Sequence, residues 1–246
     1  MESNYVSKNK KHPLKRREVA LFLLGTFAED IQMFRVRNPE YNLKLVINES
    51  LVDGPAKYEG SKLKGYLRGR TLWCAIQLVE IMPAREYDEI FNEILKMGAE
   101  VIIEEQRPAL KLVATRALIK YSRKVKPEAL QIMVGEIFEA ILDELIGMLD
   151  TASMDTIHLP IEAFTAYSRL NEAIVAQMAP KITPKLLRFF KTLHQDTSVT
   201  LELLNLFKIW CNYDACRDIL VNTFVPFIMD IIEMYYKATP NQDNKD

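Results

Sequence analysis

Apolar side chains recur every three to four positions along most of this chain, the spacing of one face of an α-helix. In the fourth such stretch they fall at Tyr87, Ile90, Phe91, Ile94, Leu95, Val101 and Ile102. In the sixth they fall at Leu130, Met133, Val134, Ile137, Phe138, Ile141, Leu142 and Leu145. The first stretch predicts a helix from about Leu14 to Phe34 that buries Val19, Leu21, Phe22, Leu24, Phe27, Ile31 and Phe34. Strand-like alternation of Thr, Val and Ile is absent, and Leu, Ile, Ala, Glu and Lys dominate, which favours helix over sheet.

Turn and cap residues divide these stretches into ten helices. Asn38-Pro39 is expected to cap and open the second, which runs to Val52 and stops at Asp53-Gly54-Pro55. The third follows Gly60-Ser61 and ends at Pro83, and the fourth covers about Ala84 to Glu105. Pro108 and Pro127 open the fifth and sixth, which end near Lys126 and Leu149. A polar connector, Asp150 to Asp155, leads to the seventh, Leu159 to Leu170. After a turn at Asn171, a short piece to Met178 and a break at Pro180 to Pro184 precede the eighth, which ends near His194. Asp196-Thr197-Ser198 caps the ninth, to Tyr213, and Asp214 caps the tenth, to Lys237.

Ten helices with short turns make five antiparallel pairs, whose first members start near residues 14, 61, 108, 159 and 198, at spacings of 47, 47, 51 and 39. HEAT and armadillo units run about 40–47 residues, whereas TPR and ankyrin periods, about 33–34, do not fit. The expected fold is therefore all-α, an α-α superhelix of HEAT/ARM type. Its units span about 14–57, 60–105, 107–150, 156–195 and 197–238. A polar basic arm, 1–13, precedes it, and a polar tail expected to be disordered, 239–246, follows it. A single hairpin cannot cover its own apolar face, so neighbouring units stack into one core.

Composition narrows the function. Apolar residues make up 49% of the 246 residues and charged ones 26%, enough for a sizeable core. A net charge of −1 argues against a generally basic nucleic-acid binder. Cys74, Cys211 and Cys216 are odd in number and form no CxxC pair, against a disulfide framework or zinc site and for a reducing compartment. The Lys-rich start has no apolar core of a secretory signal, and charges interrupt every apolar run well short of the ~20 residues of a membrane span.

Charge is sorted by helix. Lys62, Lys64, Arg68 and Arg70 against Glu80 give the third helix +3, and the fifth, with Arg107, Lys111, Arg116 and four further cations, carries +7. The fourth totals −5 and the sixth −6. Glu86, Glu89, Glu93 and Glu100 share one face of the fourth helix, and Glu136, Glu139 and Asp143 one face of the sixth. If the second helices line the concave side of a curved stack, these seven form an acidic strip that attracts a basic partner. The bland alternative is a solvated face balancing the neighbouring basic helices. The eighth helix, with Lys185, Arg188 and Lys191, breaks the rule and limits the strip to the middle units.

Catalytic signatures are missing. No phosphate-binding Gly-rich loop, GxSxG elbow or HExxH occurs. His12, His158 and His194 complete no Glu-x-x-His pair, so a di-metal carboxylate bundle is disfavoured, and Asp155 with His158 is a chance pairing in a connector. Gly65 and Gly69, four apart, read as close helix packing, Cys74 as core, and Trp73, Trp210 and Tyr235-Tyr236 as packing residues. Lys8, Lys10, Lys11, Lys15, Arg16 and Arg17 match the pattern of a nuclear localisation cluster but read more simply as an arm and an exposed first turn. The chain is expected not to be an enzyme and to need no metal or cofactor.

Three stretches carry a family likeness. Gly65 to Ala75 (GYLRGRTLWCA) resembles the "LLGRALWAA" helix of importin-beta superfamily nuclear transport receptors of the importin-nine branch. Arg107 to Tyr121 (RPALKLVATRALIKY) resembles that branch's next repeat, with Lys111 in place of the usual Arg and Ala114, Arg116 and Ala117 matching. Arg16 to Gly25 (RREVALFLLG) resembles the helix upstream. The resemblance implies a cargo-binding segment, from the middle of a much longer receptor, shuttling between cytoplasm and nucleus. Its implied cargo is a basic protein of the histone or ribosomal kind, without nucleic-acid or membrane partners. Ran-GTP would release the cargo from the full-length protein, acting mainly through repeats outside this segment, and the branch's long acidic loops are absent. A HEAT scaffold holding an enzyme complex together is the alternative, and a helical-bundle enzyme a remote third.

Overall fold

A computed structural model describes residues 13–53, 64–125, 138–169, 172–193 and 196–238. These residues are helical throughout, with short turns and no strand among them. They fall into two compact units, up to Thr151 and from Ala152 onward.

In the first unit the helices are α1 (Pro13–Thr26), α2 (Ala28–Arg37), α3 (Leu43–Asn48, continued by a π-helical turn Glu49–Asp53), α4 (Lys64–Leu78), α5 (Ala84–Glu104), α6 (Pro108–Ser122) and α7 (Phe138–Thr151). α1 packs on α4 and α4 on α6, which forms one layer. α3 packs on α5 and α5 on α7, which forms the other. The layers meet along α4–α5 and α5–α6. All seven apolar residues expected on the buried face of α5 are buried. Of the expected sixth-helix stripe, Phe138, Ile141, Leu142 and Leu145 are buried. Leu130, Met133, Val134 and Ile137 lie outside the described residues.

The second unit holds α8 (His158–Ser168), α9 (Glu172–Leu193), α10 (Thr197–Trp210), α11 (Asp214–Ile219, leading into a π-helical turn Leu220–Phe224) and α12 (Val225–Ala238). α8 packs on α10, and α9 on both α10 and α11. Phe207 and Phe224 lie 4.3 Å apart by ring centroid, and Phe190 meets Phe207, Phe224 and Phe227 edge-on.

The same device joins successive first helices in both units. Tyr121 Oη of α6 donates to the Ala75 carbonyl of α4 at 2.9 Å, and Tyr213 Oη, just past α10, donates to the Ser168 carbonyl of α8 at 2.9 Å. The partners are 46 and 45 residues apart, the period of the helix pairs. Trp210, fully buried, also donates its indole N–H to Ser168 Oγ at 2.9 Å.

Several expected boundaries are corrected. The first helix kinks at Phe27 and continues to Arg37. It buries Leu21, Gly25 and Ala28, whereas Val19, Phe22, Phe27 and Phe34 are each about half exposed; among the described residues its main packed neighbour is α4. Asn38 closes that helix instead of opening the next, and Asn42 is the N-cap, accepting from Leu45 N at 3.0 Å. Pro180 and Pro184 break nothing, because α9 runs through both. Both prolines and Ala176 are exposed at four-residue spacing, so the carbonyls of Ala176 and Pro180 that lose their helical donors face water. Meanwhile Val175, Met178, Ile182, Leu186 and Phe190 hold the opposite face in the core. Asp214 is the first residue of α11, with Tyr213 at the N-cap. The N-terminal arm before Pro13, the Gly54-Pro55 stop, the Pro127 start and the tail after Ala238 lie outside the described residues.

Ser168→Ala would leave the buried Trp210 N–H without an acceptor, a loss of about 1–3 kcal/mol. Urea unfolding should show a lower midpoint with an unchanged slope. An unchanged midpoint would mean that the indole hydrogen bond contributes nothing.

Candidate functional site

The acidic faces stand on α5 and α7, which pack against each other. The buried residues of α5 centre on Tyr87, Phe91 and Gly98, and Glu89, Glu93 and Glu100 fall on the opposite side, with Glu86 at its edge. On α7, Glu139 and Asp143 likewise fall opposite Ile141, Leu145 and Met148. Glu136 lies outside the described residues.

Two of the four α5 carboxylates are already paired. Glu86, just before a non-helical residue at Tyr87, accepts from Arg35 of α2 at 2.7 Å. Glu100 accepts from Arg68 of α4 at 2.8 Å, and Glu104 reaches the same guanidinium at 3.4 Å. Arg68 is 10% exposed, so its charge depends on those carboxylates for compensation. One repeat on, Lys111 of α6 binds Glu144 of α7. Part of the charge sorting thus ties the layers together. Of the strip residues, Glu86, Glu89 and Glu93 on α5 and Glu139 and Asp143 on α7 are exposed. Among the described residues no cation lies within ion-pair distance of Glu89, Glu93 or Glu139.

The basic layer carries a cluster that charge counting alone does not reveal. Phe22 of α1 stacks on Trp73 of α4, centroids 5.6 Å apart and nearly parallel, and Arg70 sits 5.4 and 5.1 Å over the two rings. Glu18 fixes Arg70 from α1 at 3.0 Å. At the start of α4, Arg107 lies 4.1 Å over the Tyr66 ring. Glu105 grips that guanidinium through both carboxylate oxygens and also accepts from the backbone of Gln106 and Arg107. The spacing Tyr66, Arg70, Trp73 on one helix face was the available sequence signal; the partner rings and carboxylates come from helices some 40–50 residues away.

Cys74 is fully buried beside Trp73, and burial pushes its thiol up to about 12, an inert core group. Cys216 is buried and pushed up to about 11 for the same reason, while Cys211 is exposed. Trp210 packs as expected, but Tyr236 stands in solvent. Gly69 meets Leu110 of α6 at close range, in line with the expected close packing. No helix among the described residues is long and apolar enough to cross a membrane. Among them no group of three or more His, Cys, Asp or Glu converges as metal ligands do. No family model matches the chain.

The Glu105 clasp has a definite pH signature. The Arg107 hydrogen bonds, aided by backbone N–H groups and opposed by desolvation, hold the Glu105 carboxyl down to about 2. Because the folded value lies below the ordinary ~4.3, the clasp stabilises the fold above pH ~4.3 and is lost as pH falls toward 2. Glu105→Gln should therefore lower the melting temperature at pH 7, and the gap to wild type should close near pH 2. A gap independent of pH would show that the carboxylate charge is not what acts.

Proposed function

We propose that this chain is a HEAT-type solenoid segment that holds basic proteins on the exposed acidic face of its second-helix layer, as part of an importin-beta superfamily import receptor. The observation that carries the reading is the placement of Glu89 and Glu93. They are exposed, four residues apart on α5, without cationic partners among the described residues, and on a helix that packs against the acidic α7. Carboxylates so placed act over roughly a Debye length, ~8 Å in physiological salt, and speed the approach of a cationic partner. The strip is shorter than the sequence alone suggests, since Glu86 and Glu100 serve internal ion pairs. The stacking of first helix on first helix and second on second supports the solenoid.

The receptor assignment rests on the Gly65–Ala75 and Arg107–Tyr121 resemblance. It brings with it Ran-GTP regulation in the full-length protein, shuttling between cytoplasm and nucleus, and cargo of histone or ribosomal-protein type. No reaction is assigned to the chain, and binding is the whole of its activity. A scaffold role is the second reading, favoured by one observation: Val221, Val225, Met229 and Ile232 form an exposed apolar stripe on the last helical stretch, α11 to α12. Such a stripe suits permanent assembly better than reversible cargo binding.

Pull-down of a core-histone dimer separates the readings. Wild-type chain should retain it at physiological salt, and Glu89→Lys/Glu93→Lys should weaken binding roughly tenfold while leaving the melting temperature unchanged. Equal retention by the reversed variant overturns the acidic-face reading. Repeating the measurement in the full-length protein with Ran-GTP separates receptor from scaffold, since only the receptor releases its histones.

A further inference from the structure

Between α1, α4 and α6, on the layer opposite the acidic helices, lies a groove of about 500 Å³. That volume is within the range of built ligand sites. Leu14, Leu67, Trp73, Leu110 and Val113 make its walls apolar, and the backbone at Gly69 leaves its floor without a side chain. Lys15 and the Arg70–Glu18 ion pair stand among the lining residues. Val113, Arg116 and Lys120 share one face of α6 at i, i+3 and i+7, with both cations exposed, so the positive rim continues along that helix.

The charge around the groove is one-sided. α1, α4 and α6 together carry nine Lys and Arg residues and a single carboxylate, Glu18. Some of these cations are used inside the fold: Arg68 and Lys111 bind carboxylates of the other layer, and Arg17 donates to the Glu49 and Ser50 carbonyls. Arg70 is held by Glu18, which also lines the groove, so Lys15 remains at the opening while Arg116 and Lys120 stand exposed farther along α6. A basic ligand is repelled there, and a neutral apolar one leaves the cations unused.

We propose that this groove docks an acidic amphipathic peptide segment of a partner protein, its large apolar side chains seated against Trp73, Leu110 and Val113 and its carboxylates facing Lys15, Arg116 and Lys120. Apolar anchors at i, i+3 and i+4 of a helix match a groove between helices. The site is independent of the acidic face on α5 and α7, so unit one presents two surfaces of opposite polarity to two different partners.

The test is fluorescence anisotropy on the whole chain with a labelled helical peptide of about 15 residues, roughly four turns, built from Leu at every third or fourth position and Glu elsewhere. Comparison ligands replace Glu by Lys, or Leu by Ser, and a short single-stranded RNA tests the nucleic-acid alternative. The Leu/Glu peptide should bind with an affinity that falls as salt rises, and both comparison peptides should bind roughly tenfold or more weakly. Arg116→Glu/Lys120→Glu, confined to exposed positions, should reduce binding of the Leu/Glu peptide by a similar factor while histone retention stays as in wild type. Val113→Asp should do the same from within the groove. Undiminished peptide binding in the surface double variant, tight binding of the Lys peptide, or displacement of the Leu/Glu peptide by the RNA each overturns the proposal.

Discussion

Where α1 crosses α4, a Cβ placed on Gly25 would lie 2.7 Å from the Trp73 ring and 3.3 Å from the Cys74 backbone. Where α4 meets α6, a Cβ on Gly69 would lie 2.4 Å from Leu110. At Gly25 the Trp73 ring and the α4 backbone leave no room for a side chain, whereas at Gly69 the neighbour is the flexible end of Leu110. Much else depends on this close approach. It sets Trp73 beside Phe22, brings Tyr121 within hydrogen-bond reach of the Ala75 carbonyl, and closes the walls of the groove around Gly69. A helix pair alone would leave these apolar faces in water, at about 1.5–3 kcal/mol for each large side chain left unburied.

With the first helices packed on one another, their cations have two places to go. Long side chains near the α5 and α7 edges turn inward, as Arg68 does to Glu100 and Glu104 and Lys111 to Glu144. Those on the outer side stay in water with the aromatic groove. The carboxylates divide the same way, into those that tie layers together and those, such as Glu89 and Glu93, that face solvent. Charge sorting by helix thus produces internal cross-links and two outward surfaces of opposite sign. This is how a chain with a net charge of −1 can present strong local fields.

Most helices were legible in the sequence because they depend on local period and turn chemistry, and so was the pairing of α4 with α5 and of α8 with α9. The α5 stripe was read correctly since each of its apolar residues has a neighbour on some side to bury it. The α1 stripe was misread because the same pattern arises whether or not a neighbour is present, and Val19, Phe22 and Phe27 find too little cover. Pro180 and Pro184 misled for a related reason: both lie on the exposed face of α9, where the freed carbonyls reach water, and burial of the opposite face keeps the helix continuous despite the cost of each proline. The acidic face was visible as a helical wheel. Its shortening was not, since Arg35 and Arg68 reach Glu86 and Glu100 across 51 and 32 residues of chain. The Asn42 cap went unseen because Asn38-Pro39, four residues earlier, carries the stronger local signal.

Carbodiimide labelling of surface carboxylates, read by mass spectrometry with and without a bound core-histone dimer, addresses the central claim most directly. Glu89, Glu93 and Glu139 should label readily in the free chain and become protected when histone binds, while exposed carboxylates elsewhere, such as Asp214, keep their reactivity. Unchanged labelling of Glu89 and Glu93 in a chain that demonstrably holds the histone would contradict the account.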